Sequence, residues 1–234
     1  MSSDFTSRVE KVLDKKVLEY LQSKRFVVLG CGGVGANFAE TLVRTGAKKL
    51  VLIDYDKVEK ANLNRYFSEK DIGKNKVEAL SDILRKINKD IEIKTHSYPV
   101  KLLRASDSVQ QEIHDDIQNG NVCVVAMDKN EARINAEKSL NDYSYFISIV
   151  VQINSFDNYT YQVSWCLKTP QDMVDKEGYG EENGSLDSIV QEASSTAFSM
   201  MLNNLYSPEN DRKEIKSIYR EYKDNKFNQI IDFY

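Results

Sequence analysis

The chain has 234 residues, 41% of them hydrophobic and 29% charged, with a net charge of −4 at pH 7. That is globular composition, and its mild acidity argues against a general nucleic-acid or anionic-membrane surface. No apolar run reaches the ~18 residues of a membrane span, the opening MSSDFTSRVEKVLDKK lacks the apolar stretch of a signal peptide, and three scattered cysteines without a CxxC exclude a disulfide framework and a four-cysteine zinc site.

The cytoplasm is therefore the expected compartment. In chain order, Val9, Val12, Leu13, Val17, Tyr20 and Leu21 recur at helical spacing and predict one helix over 6–23. Thr6 or Ser7 would cap it, with Glu10 completing a capping box. RFVVLG is a short apolar strand. GANFAETLVRTG is a helix stopped at Gly46. KLVLID is a second buried strand, KNKVEALSDILRKIN an amphipathic helix and IEIKTH a half-buried strand. DSVQQEIHDDIQNG reads as a polar helix with a solvated QEIHDD face, in which His96 and His114 are solitary histidines without a catalytic constellation. NVCVVAM, NEARINAEKSLND and YFISIVVQI add strand, helix and strand. The alternation implies right-handed crossovers and a mostly parallel Rossmann-like α/β sheet flanked by helices. From about residue 152 the pattern becomes alternating and aromatic, which predicts an antiparallel extension. LDSIVQEASSTAFSMMLNNLY is a long helix, and the tail from 211 is expected to be a helix and then a short strand. One domain is expected over 1–234: an N-terminal helical arm over 1–24, a nucleotide-binding core over 25–151, and the extension with C-terminal helices over 152–234.

Gly30, Gly32 and Gly35 form G-x-G-x-x-G between a predicted strand and helix, the context in which glycines bring a phosphate against a helix N-terminus. Asp54 follows Gly35 by 19 residues at the end of the second strand, which suits a carboxylate accepting ribose hydroxyls. A dinucleotide site needs nothing further. Yet Asp56, Asn62, Asn64 and Arg65 follow within a dozen residues, then Lys74 and Lys76. ATP carries additional charge and usually a metal, and Arg, Lys and an Asp for Mg2+ meet that need. Asp128 lies just after a buried strand, at the carboxyl end of the sheet where ligands bind in such folds. It would serve equally as the N-cap of the next helix.

The pattern GxGGxG…DxDxVxxxNxxR…K…D reads here as Gly30, Gly32, Gly33, Gly35, Asp54, Asp56, Val58, Asn62, Arg65, Lys76 and Asp128. With GGVG, DYDKVE, NLNR and EAR, it resembles the ThiF/MoeB/ubiquitin-activating-enzyme superfamily, and within it the activating enzymes of the ubiquitin-fold modifier. The likeness spans 6–151. It implies ATP·Mg2+-dependent adenylylation of a carboxylate, the C-terminus of a small ubiquitin-like protein or a peptide, by a homodimer. The glycines would lie against the phosphates and Asp54 on the ribose. Asn62, Arg65 and Lys76 would contact the phosphates, and Asp128 would hold Mg2+. Arg8 matches the arm arginine that reaches the partner's ATP, and it reads equally as a solvated helix residue.

The chain also departs from the pattern. Tyr66 stands where the pattern has glutamine, and Lys129 where it has asparagine. The paired CxxC zinc motifs are absent. No cysteine occurs between Lys168 and Ser199, where the thioester cysteine should lie. Cys31 and Cys123 read as small packing residues, leaving Cys166 as the one remaining candidate. An acyl-adenylate would then pass to a separate nucleophile or react intramolecularly, as in peptide-modifying members. Three other readings fit parts of the chain. A tRNA-modifying dehydratase is opposed by the acidity and missing basic tract. A non-catalytic partner subunit would not need Asp54, Arg65, Lys76 and Asp128 together. An NAD-dependent oxidoreductase leaves NLNR and Asp128 unexplained.

Overall fold

A computed structural model describes residues 4–101, 107–128, 130–139, 145–155, 158–165, 186–206, 215–224 and 226–233. The short apolar runs form its centre. Strands β1 (Arg25–Leu29), β2 (Lys49–Ile53) and β4 (Val122–Val125) are buried along nearly their whole length. Continuous burial is what a parallel strand covered on both faces requires. β3 (Glu92–His96), β5 (Tyr145–Ser155), β6 (Asn158–Trp165), β7 (Ile215–Lys223) and β8 (Lys226–Phe233) complete one eight-stranded sheet in the order β3-β2-β1-β4-β5-β6-β7-β8. β3 through β5 are parallel, and the pairs from β5 to β8 are antiparallel.

Alternation along β1 separates the two cores. Phe26 and Val28 pack with residues of α1 (Lys15–Ser23), α2 (Gly33–Thr45), α3 (Lys76–Ile87) and α6 (Asp187–Tyr206). Val27 and Leu29 pack with Ile113 and Ile117 of α4 (Ser108–Gln118) and Ala136 of α5 (Asn130–Ser139). The chain leaves β1 towards β2 and β3, then returns to β4 on the other side of β1. A crevice at the carboxyl ends of β1 and β4 follows from that reversal. Among the described residues no helix is long and apolar enough to cross a membrane.

Two elements differ from the sequence expectation. The N-terminal segment is not one helix from 6 to 23. Two 3-10 turns (Asp4–Thr6 and Val9–Lys11) precede α1, which Asp14 starts by accepting the Lys16 N–H at 2.8 Å. Thr6 bonds the Glu10 carboxylate instead of capping, and Val12 is 82% exposed despite its place in the periodic pattern. The tail is not helical either. β7 and β8 form a hairpin, with Asp224 turning the chain in the left-handed region (φ 52). Burial of Ile218 opposite Val163 in the sheet overrides the helical propensity of its charged neighbours.

The QEIHDD face is not simply solvated. His114 bonds the Lys101 carbonyl at 2.8 Å, and Asp116 is buried between β1 and β3. It meets Lys94 Nζ at 2.5 Å, His96 Nε2 at 2.7 Å and Arg25 at 3.2 Å. Glu112, His96 and Asp116 have the spacing of a metal-ligand group, but Lys94 already sits on both carboxylates. Burial pushes the Asp116 carboxyl up, but bonds from Lys94 and His96 outweigh it and hold the group below its ordinary value. A depressed pKa stabilises the fold fully above the unfolded value near pH ~4 and is lost as pH falls through the folded one. Asp116→Asn should therefore cost about 2 kcal/mol at pH 7. Denaturant melts of both proteins should show this gap closing below pH ~4. A gap that is constant with pH would mean shape, not charge.

Candidate functional site

Three close approaches shape the turn after β1. Gly30 has φ +91, and a Cβ there would lie 2.7 Å from the Ala126 carbonyl oxygen. A Cβ on Gly35 would overlap the Gly30 carbonyl, far inside contact distance. A Cβ on Gly33 would meet Arg65 Cδ at 2.9 Å, so the arginine lies across the first turn of α2. Gly32 differs. It caps α2 without any side-chain bond, and a Cβ there would meet nothing within 4 Å among the described residues. Open space thus faces a helix start, whose first N–H groups lack intrahelical partners and carry partial positive charge.

Asp54 ends β2 and holds this turn in place. Its Oδ2 accepts the Cys31 N–H at 2.7 Å and its Oδ1 the Asp56 N–H at 2.8 Å. Burial raises its pKa against the pull of Lys76 and both N–H bonds. Each oxygen keeps a lone pair for a hydroxyl. Asp56 pairs with Lys76 Nζ at 2.8 Å, and its carbonyl accepts the Lys76 N–H at 2.9 Å, which fixes the start of α3. Burial alone would lower the Lys76 ammonium, but Asp54, Asp56 and Asp128 hold it above its ordinary value. Burial pulls the Arg65 guanidinium down, with attraction to Asp128 opposing it. Asp128 itself is exposed on the exit from β4.

The structure brings Gly30, Gly32, Gly33, Gly35, Asp54, Asp56, Arg65, Lys76 and Asp128 to this crevice. Asn62 is occupied differently: its Oδ1 accepts the Glu59 N–H at 2.9 Å and closes a reciprocal capping box. Arg8 is exposed on the arm, and among the described residues no ion pair links it to the cluster. Lys129, Cys166 and the segment 166–185, where the expected thioester cysteine would fall, lie outside the described residues. Cys31 and Cys123 are fully buried; burial pushes both thiols up, Cys123 to about 12, so neither offers a thiolate.

Two supporting groups escaped sequence reasoning. Buried Arg133 on α5 donates to the Met127 carbonyl and, at 2.9 Å each, to Ser148 Oγ and the Ile149 carbonyl. It fixes the peptide just before Asp128; the EAR triplet was its only signal. Ser194 on α6 donates to the Val34 carbonyl at 2.7 Å and docks that helix on the first turn of α2.

A glycine turn at the switch point of a mostly parallel sheet, with Arg65, Lys76 and the carboxylates of Asp54, Asp56 and Asp128 around it, defines a Rossmann-like α/β protein. The ThiF family model matches residues 6–169, and the chain belongs to that family. Over 140 residues it is 38% identical to "Ubiquitin-like modifier-activating enzyme 5" of Drosophila mojavensis, covering 57% of this chain and 35% of that protein. Its likeness to the Caenorhabditis elegans protein of the same name is 37% over 128 residues, 53% of this chain and 30% of that protein. The chain thus spans about a third of the length of these curated relatives. The fold is that of E. coli MccB in its ATP complex, with TM-score 0.65 at 20% identity, covering 93% of this chain and 65% of the other. E. coli TcdA, a tRNA N6-threonylcarbamoyladenosine dehydratase, superposes with TM-score 0.65 at 19% identity over 89% of this chain and 96% of its own.

Proposed function

We propose that this protein adenylylates a carboxylate with ATP and Mg2+, the carboxylate being the C-terminus of a ubiquitin-like protein or a peptide. The observation that carries the reading is the uncovered start of α2 at Gly32, beside which Arg65 lies across Gly33 and Lys76 pairs with Asp56 at 2.8 Å. Relatives named for ubiquitin-like modifiers and a structural neighbour solved with ATP and with MccA support it.

The residues fit the proposed ligands. The space before Gly32 would admit phosphates, and two cations would offset their charge. Asp128 offers the hard oxygen that Mg2+ prefers, and the ion would neutralise phosphate charge there. Asp54 would receive the ribose with its remaining lone pairs. A substrate carboxylate oxygen attacks the α-phosphorus, forming the acyl-phosphate bond as the bond to the bridging oxygen breaks and pyrophosphate leaves. Arg65 and Lys76 stabilise the departing charge; a placed donor of this kind is worth on the order of 10²–10³ in rate. Asn62 keeps the Arg65 turn closed. Arg8 would act on the partner's nucleotide in a homodimer.

The acyl-adenylate would pass to a separate nucleophile or react intramolecularly, a reading supported by the lack of any cysteine between Lys168 and Ser199 and by the burial of Cys31 and Cys123. The proposed unit is one adenylation domain over 1–234, working in the cytoplasm. Calorimetric titration with ATP·Mg2+ and with NAD tests the ligand, and ATP–pyrophosphate exchange tests the chemistry. ATP should bind more tightly than NAD; the reverse order would overturn the reading.

A further inference from the structure

We infer that Tyr66 and Glu40 are positioning residues for Arg65, tying the peptide that carries the arginine to the body of α2. The inference rests on the reading of Arg65 as a phosphate ligand. Tyr66 Oη donates to Glu40 Oε2 at 2.6 Å, and Arg44 Nε holds the other Glu40 oxygen at 2.7 Å. The tyrosine ring stands edge-on to Phe67, whose side chain is buried in the core. Arg65 and Tyr66 are adjacent, yet they contact one helix at two levels. Arg65 crosses the first turn of α2 at Gly33, and Tyr66 is bonded almost two turns further along. A peptide fixed at one point can swing; fixed at two, it has one register. The capping box at Glu59 and Asn62 closes the turn before it, and the Arg65 N–H bonds the Asn62 carbonyl at 3.3 Å.

The chemistry of the tie suits this role. A charge-assisted O–H bond to a carboxylate is short and directional. Burial and the Glu40 bond both keep the phenol protonated. Without the tie the guanidinium would sample several positions along α2, and its fork geometry would not be held ready for a phosphate.

The test is calorimetric binding of ATP·Mg2+ to the full chain and to Tyr66→Phe, Glu40→Gln, Arg65→Ala and the double variant Tyr66→Phe/Arg65→Ala, with thermal melts of each. Tyr66→Phe should weaken ATP about tenfold and Arg65→Ala about a hundredfold. The double variant should be no weaker than Arg65→Ala, because the tyrosine acts through the arginine. Glu40→Gln keeps an acceptor oxygen and should lose about threefold or less. A further tenfold loss in the double variant would make Tyr66 a general structural residue and overturn the inference. Wild-type affinity in Tyr66→Phe beside a weakened Arg65→Ala would overturn the inference alone. Wild-type affinity in Arg65→Ala would overturn the reading of the arginine and the inference with it.

Discussion

Arg65→Ala and Asp128→Ala should each abolish ATP–pyrophosphate exchange, a loss of at least about 10²-fold, while the fold survives. The two halves of this result come from different observations. Asp128 is exposed, so its removal leaves no cavity. Arg65 is half-buried, and its alkyl stem covers Gly33; truncation should lower stability by about 1 kcal/mol through lost packing. Neither change is large enough to unfold a domain. Catalysis is more sensitive. In the proposed reading each residue carries one of the few charges around the phosphate position, and without it the leaving charge would be stabilised by water instead of by a fixed group. Arg65→Lys should recover part of the rate, because the charge returns without the planar fork. Exchange assays with circular dichroism and thermal melts check both halves. A collapsed dichroism signal in Asp128→Ala would assign the residue to the fold, and full exchange activity in Arg65→Ala would remove it from the chemistry.

The parallel half of the sheet was legible because its strands are covered on both faces. RFVVL and KLVLI are apolar and buried after their first residue and VCVV throughout, as strands covered on both faces require. The glycine turn was legible because it joins such a strand to a helix. The arm and the tail were not. The helical period that includes Val12 runs on past Asp14, yet Asp14 accepts the Lys16 N–H, restarts the helix there and leaves Val12 in solvent. The tail has strong helix formers, and pairing with β6 on one side and with β8 on the other makes β7 a strand.

At the site, residue types could be read but their partners could not. The Asp54 bonds to the Cys31 and Asp56 amides depend on how β2 ends beside β1. The Tyr66 bond to Glu40 joins residues 26 apart, and the Lys94, His96 and Asp116 cluster joins β3 to α4. Such contacts are created by the fold and have no local periodicity to announce them.

Two glycines of the turn separate the fold from the ligand. Gly35→Ala should destabilise the protein by about 3 kcal/mol or more. Its Cβ would overlap the Gly30 carbonyl and crowd Val28 Cγ1 at 3.3 Å. Gly30 cannot retreat, because its own α-carbon is packed against the Ala126 carbonyl. Nucleotide affinity is then lost as a consequence of the broken turn. Gly32→Ala should do the opposite. Its φ of −73 suits any residue, and a Cβ there meets no atom of the described residues within 4 Å. Stability should change by no more than about 1 kcal/mol, because the lost freedom of the unfolded chain is offset by alanine being a poorer N-cap than glycine. Yet the new methyl projects into the space where the phosphates would approach the start of α2, and ATP affinity should fall about a hundredfold. Thermal melts and calorimetry on the two variants read both quantities. A Gly32→Ala protein that binds ATP like wild type would mean that the nucleotide does not lie over this helix end. A Gly35→Ala protein as stable as wild type would mean that the turn can relax. The combination of an intact melt and lost binding in Gly32→Ala alone would tie the ligand to that helix start.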